Sequence, residues 1–189
     1  MESLNVFLTG ERGVGKSTAI ARFAATLDFT PAGFRTFPLP LEGAGRDCVC
    51  IAAYGAPPGD LAVPGQGNGV VAIRNRDAFK MEVFPAAFDT VGARVLREGR
   101  SSGARLVVMD ELGFMESGAA AFQEEVRLCL GADVPVLGVL KKALPPGGFG
   151  GGNARTAFLE SVRARGDVRV LEVTEANREK IFRQLCEMF

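Results

Sequence analysis

The sequence predicts an α/β fold, with a mainly parallel sheet covered by helices on both faces, and three observations support this. Short, nearly continuous apolar runs such as LNVFLT (Leu4–Thr9), VPVLGVL (Val134–Leu140) and VRVLEV (Val168–Val173) read as strands buried on both faces. Between such runs lie stretches with apolar residues three and four apart, the spacing of amphipathic helices. Strands alternating with helices need crossover connections, and crossovers make parallel neighbours.

In chain order, Leu4–Thr9 opens as a strand, and Ser17–Leu27 follows as a helix with Ile20, Phe23, Ala24 and Leu27 on one side. From Ala32 to Asn68 glycine and proline are frequent and helical periodicity is lost. Within it CVCIAAYG (Cys48–Gly55) reads as a strand and GAPPGD as a turn, and VVAIR and FKMEVF follow. Residues 33–84 are therefore expected to form a small antiparallel insertion in a single domain spanning 1–189. Pro85 suits the first turn of a helix carrying Phe88, Val91, Val95 and Leu96. RLVVMDEL (Arg105–Leu112) opens as another buried strand. Ser117 is placed to cap a helix bearing Phe122, Val126, Cys129 and Leu130, with Gly131 to end it. After VPVLGVL, the Gly- and Pro-rich KKALPPGGFGGGN (Lys141–Asn153) has the composition of a mobile loop. A helix around Phe158, Leu159 and Val162 precedes VRVLEV, and Thr174 is placed to cap a last helix presenting Ile181, Leu185 and Met188.

Composition narrows the chemistry. Basic and acidic residues balance at 22 each, which argues against broad electrostatic binding to nucleic acid or to an anionic membrane. No apolar run approaches the roughly 20 residues of a membrane span, and MESLNVFLTG lacks the basic start of a signal peptide. The expectation is a cytoplasmic protein without membrane attachment. Cys48, Cys50, Cys129 and Cys186 lack the spacing of a zinc site and read as reduced thiols. With no histidine in the chain, imidazole is excluded both as base and as metal ligand.

GERGVGKS (Gly10–Ser17) makes no sense as packing, because glycine adds nothing to a core and a buried lysine needs an anion. It matches the Walker A phosphate loop, G-x-x-x-x-G-K-[ST], between a strand and a helix as its mechanism requires. Gly10, Glu11, Arg12, Gly13, Val14, Gly15, Lys16, Ser17 and Thr18 are the candidate nucleotide-binding residues. Lys16 is placed to reach the β- and γ-phosphates, and the Ser17 hydroxyl to hold Mg²⁺. LVVMDE supplies the carboxylate that such a loop needs on a neighbouring strand: Asp110 suits holding the Mg²⁺ water shell and Glu111 an attacking water. A solvated pair of carboxylates at a strand end is the alternative.

The residues that follow carry a resemblance. DELGFME, the opening LTGERGVGKST, AGFRT (Ala32–Thr36), Gly45-Arg46, VPVLGVL and VTEANREKI (Val173–Ile181) together resemble the THEP-type nucleoside triphosphatases, also termed cancer-related. The resemblance implies a RecA-like P-loop domain that hydrolyses ATP, GTP and other nucleoside triphosphates with Mg²⁺. It carries Lys16, Ser17, Asp110 and Glu111 over by motif position. The chain departs from the family at Phe37-Pro38-Leu39-Pro40, where relatives often continue with acidic residues, and at Lys141-Lys142, where they tend to have His or Arg. Lys141 reads either as a γ-phosphate sensor or as a surface lysine. Asn177 and Arg178 read either as neighbours of the base or as an exposed first helical turn. Glu116 either supports the site or helps to start its helix. No N-K-x-D guanine signature is present. Two further readings are a small-molecule or nucleotide kinase, with the Gly-rich stretch as a lid and Arg155 reaching the phosphates, and a nucleotide-dependent switch protein. An arginine finger has candidates in Arg12, Arg155 and Arg178.

Overall fold

The buried apolar runs become the middle of one sheet. In the computed structural model, which describes residues 4–41, 45–56, 69–142 and 153–189 (153–155 by backbone alone), eight strands form that sheet. They are β1 (Asn5–Thr9), β2 (Ala32–Pro40), β3 (Arg46–Ala53), β4 (Val70–Asn75), β5 (Lys80–Val83), β6 (Val107–Leu112), β7 (Val136–Leu140) and β8 (Val168–Glu172). Their order is β5-β4-β3-β2-β6-β7-β1-β8. The pairs β2/β6, β6/β7, β7/β1 and β1/β8 are parallel, whereas β2/β3, β3/β4 and β4/β5 are antiparallel.

Side chains alternate across a strand, so β1 serves two cores. Phe7 faces one with Phe34, Phe88, Leu96, Phe122 and Leu159; Val6 and Leu8 face the other with Ile20, Phe23, Ile181 and Leu185. The helices α1 (Lys16–Ala24) and α6 (Arg178–Met188) cover the second face. On the first lie α3 (Ala93–Ser101), α4 (Ala120–Leu130) and α5 (Asn153–Arg163), with α2 (Pro85–Ala87) running through a π-helical turn, Phe88–Gly92, into α3. That double cover is why β1 and β7 are buried at every position and read as unbroken apolar runs. Among the described residues no helix is long and apolar enough to cross a membrane.

Several elements differ from expectation. The stretch AGFRTFPLP is β2, parallel to β6 through Ala32–Arg35, although Gly33, Pro38 and Pro40 obscure it. Both prolines lie beyond the last residue paired with β6, where the missing N–H disturbs only one neighbour. The helix α1 stops at Ala24, short of Leu27. Ser117 caps nothing; it sits in a 3₁₀ turn, Met115–Gly118, and the Phe122 amide at the start of α4 donates instead to Asp89 Oδ1 at 2.9 Å. Asn177, not Thr174, takes the N-cap position of α6. Most of the Gly- and Pro-rich stretch, 143–152, lies outside the described residues.

Candidate functional site

Glycine shapes the loop between β1 and α1. Gly10, Gly13 and Gly15 take φ of +138°, +83° and +100°, which side chains rarely adopt, and a Cβ at Gly10 would strike the Val173 carbonyl. Gly15 leads into α1 with no side-chain cap, so the positive end of that helix keeps its free donors. Residues 10–13 and 15–18 form one wall of a cavity of about 660 Å³. Val14 instead packs against the apolar cluster of Ile20 and Leu185. Lys16 folds back over its own loop, donating to the carbonyls of Gly10 at 3.0 Å and Glu11 at 2.7 Å.

The parallel order places the ends of β1 and β6 on either side of β7. There Ser17 Oγ donates to Asp110 Oδ1 at 2.8 Å, joining residues 93 apart in the chain. Burial raises the pKa of Asp110, the Ser17 bond opposes this, and the neighbouring Glu111 charge adds to the rise. The Thr36 hydroxyl donates to the Asp110 carbonyl at 3.2 Å. The β6/β7 register slips between Met109 and Leu112, and Glu111 in that bulge has φ +101°. An undistorted strand would alternate the two carboxylates across the sheet; a bulge re-aims a side chain, and Glu111 lines the cavity.

Beyond the bulge, both Glu116 oxygens lie 3.0 and 3.1 Å from the Gly113 amide that donates to them. Glu116 is fully buried, and burial pushes its carboxyl up to about 7. The two lysines at the end of β7 diverge. Lys142 pairs with Glu11 at 2.8 Å and Glu172 at 3.5 Å, which holds Glu11 below the usual carboxylate range. Lys141 lines the cavity, with its ammonium 5.5 Å from the centre of the Phe114 ring.

The closing segment is fastened by its own hydrogen bonds. Asn177 accepts from the Thr174 amide at 2.8 Å and donates to the Glu172 carbonyl at 2.9 Å, fastening the turn from β8 to α6. Arg178 runs alongside the loop between β1 and α1, since a Cβ at Gly15 would lie 4.0 Å from its Cδ. Arg12 lines the cavity. The side chain of Arg155 lies outside the described residues. Sequence reasoning gave no role to the far wall, where Phe37, Pro38, Val49, Arg74 and Met81 line the same cavity as the glycine loop. Only the strand pairing reveals these positions.

The donor set is compatible with a hard divalent cation such as Mg²⁺. Ser17 and Asp110 offer a hydroxyl and a carboxylate, hard oxygens suited to Mg²⁺, which takes one or two protein ligands with substrate phosphates completing the shell. Among the described residues no group of three or more His, Cys, Asp or Glu forms a metal cage, and Mg²⁺ with a nucleotide needs none.

Comparison with known proteins finds relatives along nearly the whole chain. The sequence model of a family described as NTPase matches residues 5–186. A cancer-related nucleoside-triphosphatase homolog of Mus musculus is 31% identical, the match covering 95% of this chain and 93% of that one. The nucleoside-triphosphatase THEP1 of Methanosarcina barkeri is 29% identical over 98% of this chain and 97% of its own. The solution structure of a human cancer-related nucleoside triphosphatase shares the fold, with a TM-score of 0.64 at 24% identity over 98% of this chain and 96% of that one.

Proposed function

Since the chain belongs to this NTPase family, the THEP-type or cancer-related nucleoside triphosphatases, we propose that it hydrolyses ATP, GTP and other nucleoside triphosphates to diphosphate and phosphate with Mg²⁺. The observation that carries the reading is the 2.8 Å contact of Ser17 with Asp110 at the mouth of a glycine-shaped loop. Two motifs far apart in the chain meet where a triphosphate would lie.

The backbone amides of the loop, with the N-terminus of α1, hold the phosphates. Lys16 exchanges its two loop carbonyls for the β- and γ-phosphate oxygens, a small movement because the ammonium already lies over the loop. When bound, Mg²⁺ would be held by Ser17 and Asp110 and would neutralise charge on the β- and γ-oxygens. Glu111 orients a water in the cavity and takes its proton as the water oxygen bonds to the γ-phosphorus. The bond from that phosphorus to the bridging oxygen breaks, and the diphosphate leaves. Lys141, on the same cavity, is placed to meet the γ-phosphate, whereas Lys142 is engaged by Glu11 and Glu172. We read the chain as a single RecA-like domain; of the expected antiparallel insertion 33–84, β3, β4 and β5 are antiparallel additions, whereas β2 itself pairs parallel with β6.

The test is phosphate release from ATP and Mg²⁺ with no other substrate present. Steady release over many turnovers supports the hydrolase. Release only with an added hydroxyl acceptor would make the protein a kinase, and release only with a protein partner would make it a switch.

A further inference from the structure

We propose that Glu116 is a positioning residue for Glu111: its buried carboxyl group, bonded to the Gly113 amide, fixes the bulge that aims Glu111 into the cavity. This rests on the reading of Glu111 as the group that activates water.

Glu111 needs holding. A non-glycine residue at φ +101° is strained, and such a conformation persists only where its surroundings over-determine it. The surroundings do so on both sides. Upstream, Thr36 fixes the Asp110 carbonyl; downstream, the Lys141 amide donates to the Leu112 carbonyl at 2.9 Å, and Glu116 takes the Gly113 amide. Gly113 stands two residues past Glu111, so its amide orientation sets the direction of the backbone leaving the strained step.

The acidic group of Glu116 serves backbone amides, that of Gly113 and its own, with the Lys141 charge nearby. It is fully buried, and burying a carboxyl group is costly. A methionine or leucine would fill the volume without the cost. Helix initiation does not explain it either: Glu116 lies in the 3₁₀ turn before α4, and Asp89 receives the first-turn amide of α4. Burial raises the pKa of Glu116 to about 7, while its bonds to the Gly113 amide and to its own amide, and the nearby Lys141 charge, oppose the rise. The 3₁₀ turn brings Glu116 back over Gly113, three residues earlier.

The test is a set of variants in two backgrounds, parental and Glu111→Gln, each measured for kcat, nucleotide Kd and melting temperature. In the parental background Glu116→Ala should lower kcat about 10- to 100-fold, the scale of a misplaced reacting group, with Kd within about threefold. Glu116→Gln keeps an acceptor for the Gly113 amide and should stay within about fivefold of parental kcat. In the Glu111→Gln background Glu116→Ala should change kcat by less than about twofold, because there is no base left to misplace. If Glu116→Ala does not fold, Glu116→Met fills the volume without the acceptor and carries the same expectation. An equal loss of kcat in both backgrounds, a joint loss of affinity and rate, or parental kcat without the acceptor would overturn the proposal. Glu111→Gln alone should lower kcat at least about 100-fold; if it leaves the rate unchanged, the reading of Glu111 fails instead.

Discussion

Lys16 is a residue whose removal should separate binding from folding. Among the described residues its ammonium donates to carbonyls of its own loop, so Lys16→Ala removes charge-assisted bonds to phosphate but little packing. Nucleotide affinity should fall about 10- to 100-fold, the worth of charged hydrogen bonds, with the melting temperature nearly unchanged. Parental affinity in equilibrium binding would remove Lys16 from the phosphate site. Glu116 makes a prediction of the opposite kind, in stability. Its carboxyl is raised from the ordinary 4.5 to about 7, first by burial and further by the facing Glu111, while its two backbone bonds and Lys141 oppose the rise. Below the ordinary value the carboxyl is neutral in both folded and unfolded chains. As pH rises toward 7 the unfolded chain ionises freely while the folded one resists, so stability is lost over that window. Glu116→Gln should therefore lose less stability than the parental protein between about pH 5 and pH 8, read as melting temperature against pH. An equal loss would show that Glu116 ionises without penalty. At this scale Ser17 and Asp110 were legible as partners because the motifs that hold them are local. The φ of Glu111 and the Thr36 hydrogen bond were not, since each depends on a neighbouring strand.

An element's end can be set by a residue that belongs to another element. The first turn of α4 has no side-chain cap of its own, and Asp89, from the π-helical turn before α3, accepts from its Phe122 amide. Removing that acceptor in Asp89→Ala should cost about 1 kcal/mol, the usual worth of a helix N-cap, read by urea denaturation. Ser117→Ala should cost much less, because the Ser117 side chain caps no helix. A larger loss for Ser117 than for Asp89 would contradict this assignment. Local pattern favoured Ser117 and Thr174 as caps because both are hydroxyl residues just ahead of an apolar periodicity, and capping from 33 residues upstream leaves no local trace. The same limit hid β2. Gly33 looks like a breaker, yet it lies against β6 because a Cβ there would collide with the Val108 carbonyl. The buried strands β1, β6 and β7 were legible because burial on both faces forces a continuous apolar run.

For the whole molecule, the sheet order turns two strand ends into a clamp. The loop after β1 and the carboxylate of β6 flank β7, the arrangement in which α/β sheets place ligands, at the carboxyl ends of parallel strands. The α/β class and the meeting of Ser17 with Asp110 were legible from strand–helix alternation and the two motifs. The far wall, from Phe37 to Met81, was not, because antiparallel strands outside the motifs build it. A ligand bridging the clamp binds only the folded chain, so it should stabilise the fold by mass action, about 2.7 kcal/mol at one hundred times its Kd. ADP with Mg²⁺ should then raise the melting temperature more than ADP in EDTA, because only with the metal does Asp110 join the contact. In Asp110→Asn the EDTA-treated shift should persist while the extra shift with Mg²⁺ shrinks, since a neutral amide holds the ion's water shell less well than a carboxylate. Lys16→Ala should reduce both shifts, which distinguishes loss of the phosphate contact from loss of the metal. An undiminished Mg²⁺-dependent shift in Asp110→Asn would move the metal site away from β6, leaving the Ser17–Asp110 contact as a hydrogen bond that only joins two strand ends.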